Sequence, residues 1–138
     1  MTQAHATVQV GDELPALQLP PINRTMLALF AGASGDHNPI HLDLDSARRS
    51  GMPDVFAQGM LGMAWVGRLL TQWKPQACLR SFGVRFQGIM QLDDAICCTG
   101  RVVETLMEGD TPCARVEVLG RDQLGQTKIA GQALVALR

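Results

Sequence analysis

The chain has 138 residues, 46% of them hydrophobic and 18% charged, with a formal net charge of −1. A single domain of this size buries roughly two-thirds of the surface its unfolded chain exposes; no linker or repeat divides it, so residues 1–138 are read as one unit. Near-neutral charge without a Lys/Arg run argues against nucleic acid or an anionic membrane as partner.

The N-terminal Met-Thr-Gln-Ala-His-Ala-Thr carries neither the basic stretch nor the apolar run of a signal peptide. The expected location is therefore cytoplasmic. From Arg24, apolar residues at Met26, Leu27, Leu29 and Phe30 predict a short helix ending near Gly32. Next comes Ser34-Gly35-Asp36-His37-Asn38-Pro39-Ile40-His41-Leu42-Asp43, with two carboxylates, two imidazoles and an amide in ten residues. Pro39 fixes its own φ and pushes Asn38 out of the helical region. The five-residue spacing from Asp36 to His41 is thus a bent loop that can aim an acid and a base into one small volume. Such a pair, converging on one water, can move protons.

Leu44 or Asp45 opens another short helix through Arg49, with Gly51 placed for a left-handed cap. Met60 to Trp73 is the strongest helical signal. Its apolar residues run almost all the way round, which predicts burial on every side, and Gly62, Ala64 and Gly67 keep it thin. The apolar run Met60–Leu70, interrupted by Arg68, is too short to span a bilayer. Four β-patterned runs follow: Leu79–Gln87, Ile96–Leu106, Ala114–Arg121 and Thr127–Leu137, with turns at Met107–Asp110 and Gln123–Gln126. The expected class is α+β, an antiparallel sheet wrapped around helix 60–73. Cys78, Cys97, Cys98 and Cys113 lack CxxC spacing and read as reduced thiols, the last-named strand pair Cys97 and Cys98 facing opposite sides.

Three readings of the 34–45 segment compete. A calcium loop fails because Ile40 and His41 occupy the positions where a ligand and a glycine are required. A zinc site from His37 and His41 needs a continuous helix, which Pro39 breaks. In a purely structural reading, Asp36 caps a turn and His41 is a satisfied core histidine. Gly59, at the start of the strongest helix, adds a second feature. The first N–H groups of a helix have no internal partners and carry the positive end of its dipole, which suits a developing oxyanion. The alternative for Gly59 is tight packing alone.

The run from Phe30 to Asp43, followed by Gln58-Gly59-Met60-Leu61, resembles the MaoC-like, (R)-specific enoyl-CoA hydratase family (hydratase 2). Its signature reads Ser/Thr-Gly-Asp-x-Asn-Pro-aliphatic-His-x-Asp, then His-Gly-Met. Gln58 stands where the family usually has histidine. Val84-Arg85-Phe86 is similar to the family's Arg-Phe strand, while Gln91-Leu92-Asp93-Asp94 replaces its Pro-Gly-Asp turn. The resemblance implies a hotdog fold and a homodimer whose sheets join edge to edge, with acyl-CoA bound between subunits. It also implies hydration of a trans-2-enoyl thioester to the (R)-3-hydroxyacyl thioester without metal or cofactor. In that chemistry His41 acts as base toward water, Asp36 orients or donates, and the Gly59 N–H polarises the thioester carbonyl. Ser34, Asn38, Gln58, Met60 and Arg85 are the candidate substrate contacts. For Ser34 and Asn38 a role tying the loop to itself competes with contact, and Met26, Met60, Met63 and Met90 are either tunnel or core. A non-catalytic acyl-thioester-binding partner subunit and a hotdog thioesterase are the alternatives.

Overall fold

The computed structural model describes residues 7–138; the N-terminal stretch inspected for a signal peptide lies outside them apart from Thr7. A two-residue strand β1 (Leu17–Gln18) precedes helix α1 (Arg24–Ser34), a 3₁₀ turn (Pro39–His41) and helix α2 (Leu44–Arg49). Then come helix α3 (Gly59–Trp73), a second 3₁₀ turn (Gln76–Cys78), and strands β2 (Leu79–Phe86), β3 (Cys97–Glu108), β4 (Thr111–Arg121) and β5 (Thr127–Ala136).

The five strands form one antiparallel sheet in the order β1-β3-β4-β5-β2. It curls around α3 in the hotdog arrangement, so the α+β expectation holds. Curling brings backbones very close where Val84 faces Gly131. A Cβ at Gly131 would collide with the Gly83 carbonyl oxygen, so only glycine fits there. Leu61, Trp65, Val66, Leu69 and Leu70 of α3 meet Ile96, Val102, Val116, Val118, Ile129 and Val135 of the sheet side in one buried core. Each such side chain contributes about 1.5–3 kcal/mol on burial.

Three features depart from the sequence reading. β1 was not expected, since two residues carry no periodicity. α1 continues past Gly32 to Ser34, capped by Gly35 at φ 79°. And α3 is not buried all round: Met60 is 54% exposed, and Ala64, Arg68 and Thr71 continue a bare stripe along it. Apolarity told that this helix is short of polar surface, not that its own chain covers every side. Cys97 is half-buried and Cys98 buried, facing opposite sides as alternation requires, and all four cysteines are free thiols. Burial pushes the Cys98 thiol up to about 12. No helix among the described residues is long and apolar enough to cross a membrane.

Candidate active site

The loop after α1 is built from its own short polar side chains. Ser34 Oγ accepts the Asp36 N–H at 3.1 Å, Asp36 Oδ1 accepts the Asn38 N–H at 3.3 Å, and Asn38 Oδ1 accepts the Ile40 N–H at 3.2 Å. Each is a local turn that competes successfully with helix or strand. Pro39 then starts the 3₁₀ turn that ends on His41. Asp43 follows as N-cap of α2, and hydrogen bonds from the Ser46 side chain and backbone hold its carboxyl below the usual range. Ser34 and Asn38 therefore shape the loop.

His41 is buried, and its Nδ1 lies 2.7 Å from the Phe56 carbonyl oxygen. A carbonyl only accepts, so Nδ1 carries the proton and, in the neutral ring, Nε2 keeps its lone pair. Nε2 stands 3.9 Å from Asp36 Oδ2, whose side chain is 43% exposed. That gap is too long for a direct hydrogen bond and suits a water held by both. The ring also packs edge-on against Phe56 at 5.0 Å between centroids.

Gly59 opens α3, and no side chain caps that helix end. Its N–H donates no hydrogen bond among the described residues. His41 and Gly59 line the same cavity of about 240 Å³, whose walls include Phe56, Phe86, Met90 and Lys128. Asp36 lies in a neighbouring apolar groove of about 450 Å³ with Ser34, Phe30, Met60, Met63 and Phe82. The Asp36–His41 pair thus stands where groove and cavity meet. Met60 is at the groove, as a substrate contact would be; Met90 is core and at the same time a wall of the cavity.

Two expected contacts are placed elsewhere. Arg85 lines a separate cavity of about 590 Å³ with Glu117 and Gln132, and shares no lining with Asp36, His41 or Gly59. Strand alternation is the reason: Phe82 and Phe86 face α3, so Arg85 between them faces the other side of the sheet. Gln58 is 1% exposed, and its Nε2 donates to the Leu27 carbonyl of α1 at 3.1 Å. It meets the protein interior and lines neither the groove nor the cavity.

The sequence reading passed over Lys128 and took Phe86 only as part of the Val84-Arg85-Phe86 strand. Lys128 Nζ donates to the Ile89 carbonyl at 2.9 Å and lies 3.6 and 3.5 Å from Asp94 and Asp122. These contacts pin the loop after β2, which carries Ile89 and Met90 into the cavity wall. Burial opposes ionisation of Asp122, but the N–H groups of Gln126 and Leu124 and the Lys128 ammonium outweigh it and hold its carboxyl below the ordinary value. A lone lysine in an alternating strand was the available signal. Among the described residues no cluster of His, Cys, Asp or Glu is arranged to hold a metal ion.

The model of the MaoC like domain matches residues 6–130. The chain belongs to this family. Its MaoC-like relatives include the 3-oxo-4,17-pregnadiene-20-carboxyl-CoA hydratase beta subunit of Mycobacterium tuberculosis, 30% identical over 117 residues, covering 84% of this chain and 87% of the relative. Among solved structures, the ChsH1-ChsH2 complex from Mycobacterium tuberculosis superposes with a TM-score of 0.82 at 26% identity, over 96% of this chain and 100% of the other. The unliganded R-hydratase PhaJ1 from Pseudomonas aeruginosa gives 0.81 at 26% identity, over 94% and 82%. In the Gln91–Asp94 turn, Asp93 takes the left-handed backbone, φ 69°, that glycine would adopt freely.

Proposed function

We propose that this MaoC-like protein hydrates trans-2-enoyl-CoA, or the corresponding enoyl thioester, to the (R)-3-hydroxyacyl thioester, and runs the dehydration in reverse. The observation that carries this reading is the His41 ring, anchored through Nδ1 on the Phe56 carbonyl with Nε2 turned to Asp36 beside an uncapped helix end.

Water held between His41 Nε2 and Asp36 Oδ2 attacks the β-carbon. Nε2 takes one of its protons, and Asp36 accepts the other in a hydrogen bond that aims the oxygen. Electron density moves onto the thioester oxygen, which the Gly59 N–H and the positive end of α3 stabilise. The pair delivers the abstracted proton to the α-carbon, so the hydroxyl and the hydrogen add across the double bond and both side chains end as they began. This chemistry calls on no cofactor.

The assembly we propose is a homodimer. The outer edge of β2, Leu79–Phe86, has no strand partner among the described residues, and the bare stripe of α3 lies close to Phe82 of that strand; a second copy would cover both. A heteromeric hydratase subunit is the second reading, favoured by the similarity to the ChsH1-ChsH2 complex.

Incubation with crotonyl-CoA tests the reaction. Loss of enone absorbance with the thioester retained supports hydration; release of free CoA would mean a thioesterase. No change with crotonyl-CoA, longer enoyl-CoA substrates or carrier-protein thioesters would refute the reading for the chain on its own and leave the heteromeric one.

A further inference from the structure

Gln58 is the one buried side chain among the described residues that keeps a polar atom without a partner: its Oε1 is sealed from solvent and accepts nothing. An unmade hydrogen bond in the interior is a cost that an apolar residue would not carry. Its single contact adds little to secondary structure. The Leu27 carbonyl sits inside α1, where the helix ladder already offers it the Ala31 N–H. Nor does Gln58 cap α3, although it stands at the capping position. Stability alone would favour leucine here.

The connections around it give it a different task. Besides its bridge to Gln91 and the start of its own helix, the segment 56–59 has three hydrogen bonds to the rest of the fold. Phe56 accepts from His41 Nδ1, the Ala57 N–H donates to the Met90 carbonyl at 2.9 Å, and Gln58 donates to Leu27. The first fixes His41 to the segment and the second fixes the segment to the cavity wall. The third is its hydrogen bond to α1, and α1 runs through its Gly35 cap directly into Asp36. The 3.9 Å gap between Asp36 and His41 therefore lies between two elements that this amide ties near the site, while the Arg24–Asp54 ion pair holds the far end of α1 and Leu27 packs with Ala57 and Leu61 in the core.

We propose that Gln58 is a positioning residue: through Leu27 it sets α1, and with it Asp36, against His41 and the Gly59 N–H. This deepens the hydratase reading and rests on it for its kinetic consequence, though not for its geometric one. A loss of register of about 1 Å between reacting groups costs up to about 10² in rate, without any change in how tightly the substrate is held.

Gln58→Leu removes the tie and the orphaned oxygen together. The expected variant melts no lower than the parent chain, loses 10-fold or more in kcat on crotonyl-CoA, and keeps its KM. Gln58→His, which retains an N–H donor, restores kcat. A second readout needs no turnover. In ¹⁵N-histidine spectra at fixed pH, Asp36→Asn should displace the His41 Nε2 resonance in the parent chain and leave it nearly unmoved in the Gln58→Leu background. If Gln58→Leu does not fold, Gln58→Met, unbranched and without a donor, takes its place in both measurements. A kcat per folded molecule equal to the parent's, or an unchanged Nε2 response to Asp36→Asn, overturns the proposal. Should the parent chain hydrate no enoyl thioester, the hydratase reading falls, and the resonance comparison still decides the placement of Asp36.

Discussion

Gly59→Ala separates the oxyanion role of this backbone from its packing. A Cβ built on Gly59 lies 3.2 Å from two atoms of the Phe86 ring and 3.4 Å from a third. That is tight, but Phe86 is 53% exposed and its ring can swing outward. The backbone at Gly59 is not left-handed, so alanine fits it and gains about 0.4–1 kcal/mol by restricting the unfolded chain. The ring contact offsets a gain of that size. Net stability should change by less than about 1 kcal/mol, or roughly 3–5 °C in Tm for a chain of this length. Activity should respond far more strongly. The N–H survives the substitution, but the methyl group fills part of the cavity that Gly59 shares with His41 and holds the carbonyl away from it, and an oxyanion contact broken in this way costs about 10²–10³ in kcat. Initial rates of enone loss, beside thermal melts of the same samples, compare the two effects. Phe86→Ala in the same background is the control. If the double variant recovers full turnover, the injury came from a displaced ring and not from the methyl group standing before the N–H. Full turnover in Gly59→Ala alone would refute the idea that the carbonyl closes on this N–H past the Cα of position 59.

Asp36→Asn and His41→Ala should each lower turnover by about 10² or more with circular dichroism unchanged; the double variant should be little worse than the worse single one, because both act on one water. Light scattering should give close to twice 14.9 kDa for the purified protein, and an active monomer would remove the shared-interface idea. The depressed Asp122 carboxyl has a stated sign. Its ionised form stabilises the fold above the ordinary value of 3.8 and loses that contribution as pH falls through its lower folded value. Denaturation by acid should therefore steepen below about pH 4, and Asp122→Asn should flatten that limb while lowering stability at neutral pH.

How far the sequence carried depended on the range of the interaction. The 34–43 loop could be read because its hydrogen bonds join residues two apart, Ser34 to Asp36 to Asn38 to Ile40. The opening of α2 at Leu44, the start of α3 and the four long strands are equally local. Gln58 and Lys128 were misjudged or missed because their partners lie far along the chain, Leu27 at 31 residues and Ile89 at 39. The placing of Arg85 is a different case. Phe82, Val84 and Phe86 already alternate in the sequence, and had the strand's facing been applied, Arg85 would have been set on the opposite side. The bare stripe on α3 lay beyond any single-chain pattern, since hydrophobicity identifies a surface that avoids water without naming what covers it. Acyl-chain preference is unread for the same reason: Met60 and Met63 line a groove whose far wall a second chain would supply.

The Phe56 carbonyl that orients His41 has a consequence for how this protein tolerates change over time. Catalytic imidazoles are often aimed by a carboxylate, and one base change in the gene can delete that carboxylate. Every amino acid brings a carbonyl. Substitutions at position 56 can alter the ring packed against His41 without removing the acceptor that selects its tautomer, so the imidazole is insulated from drift at the very residue that holds it.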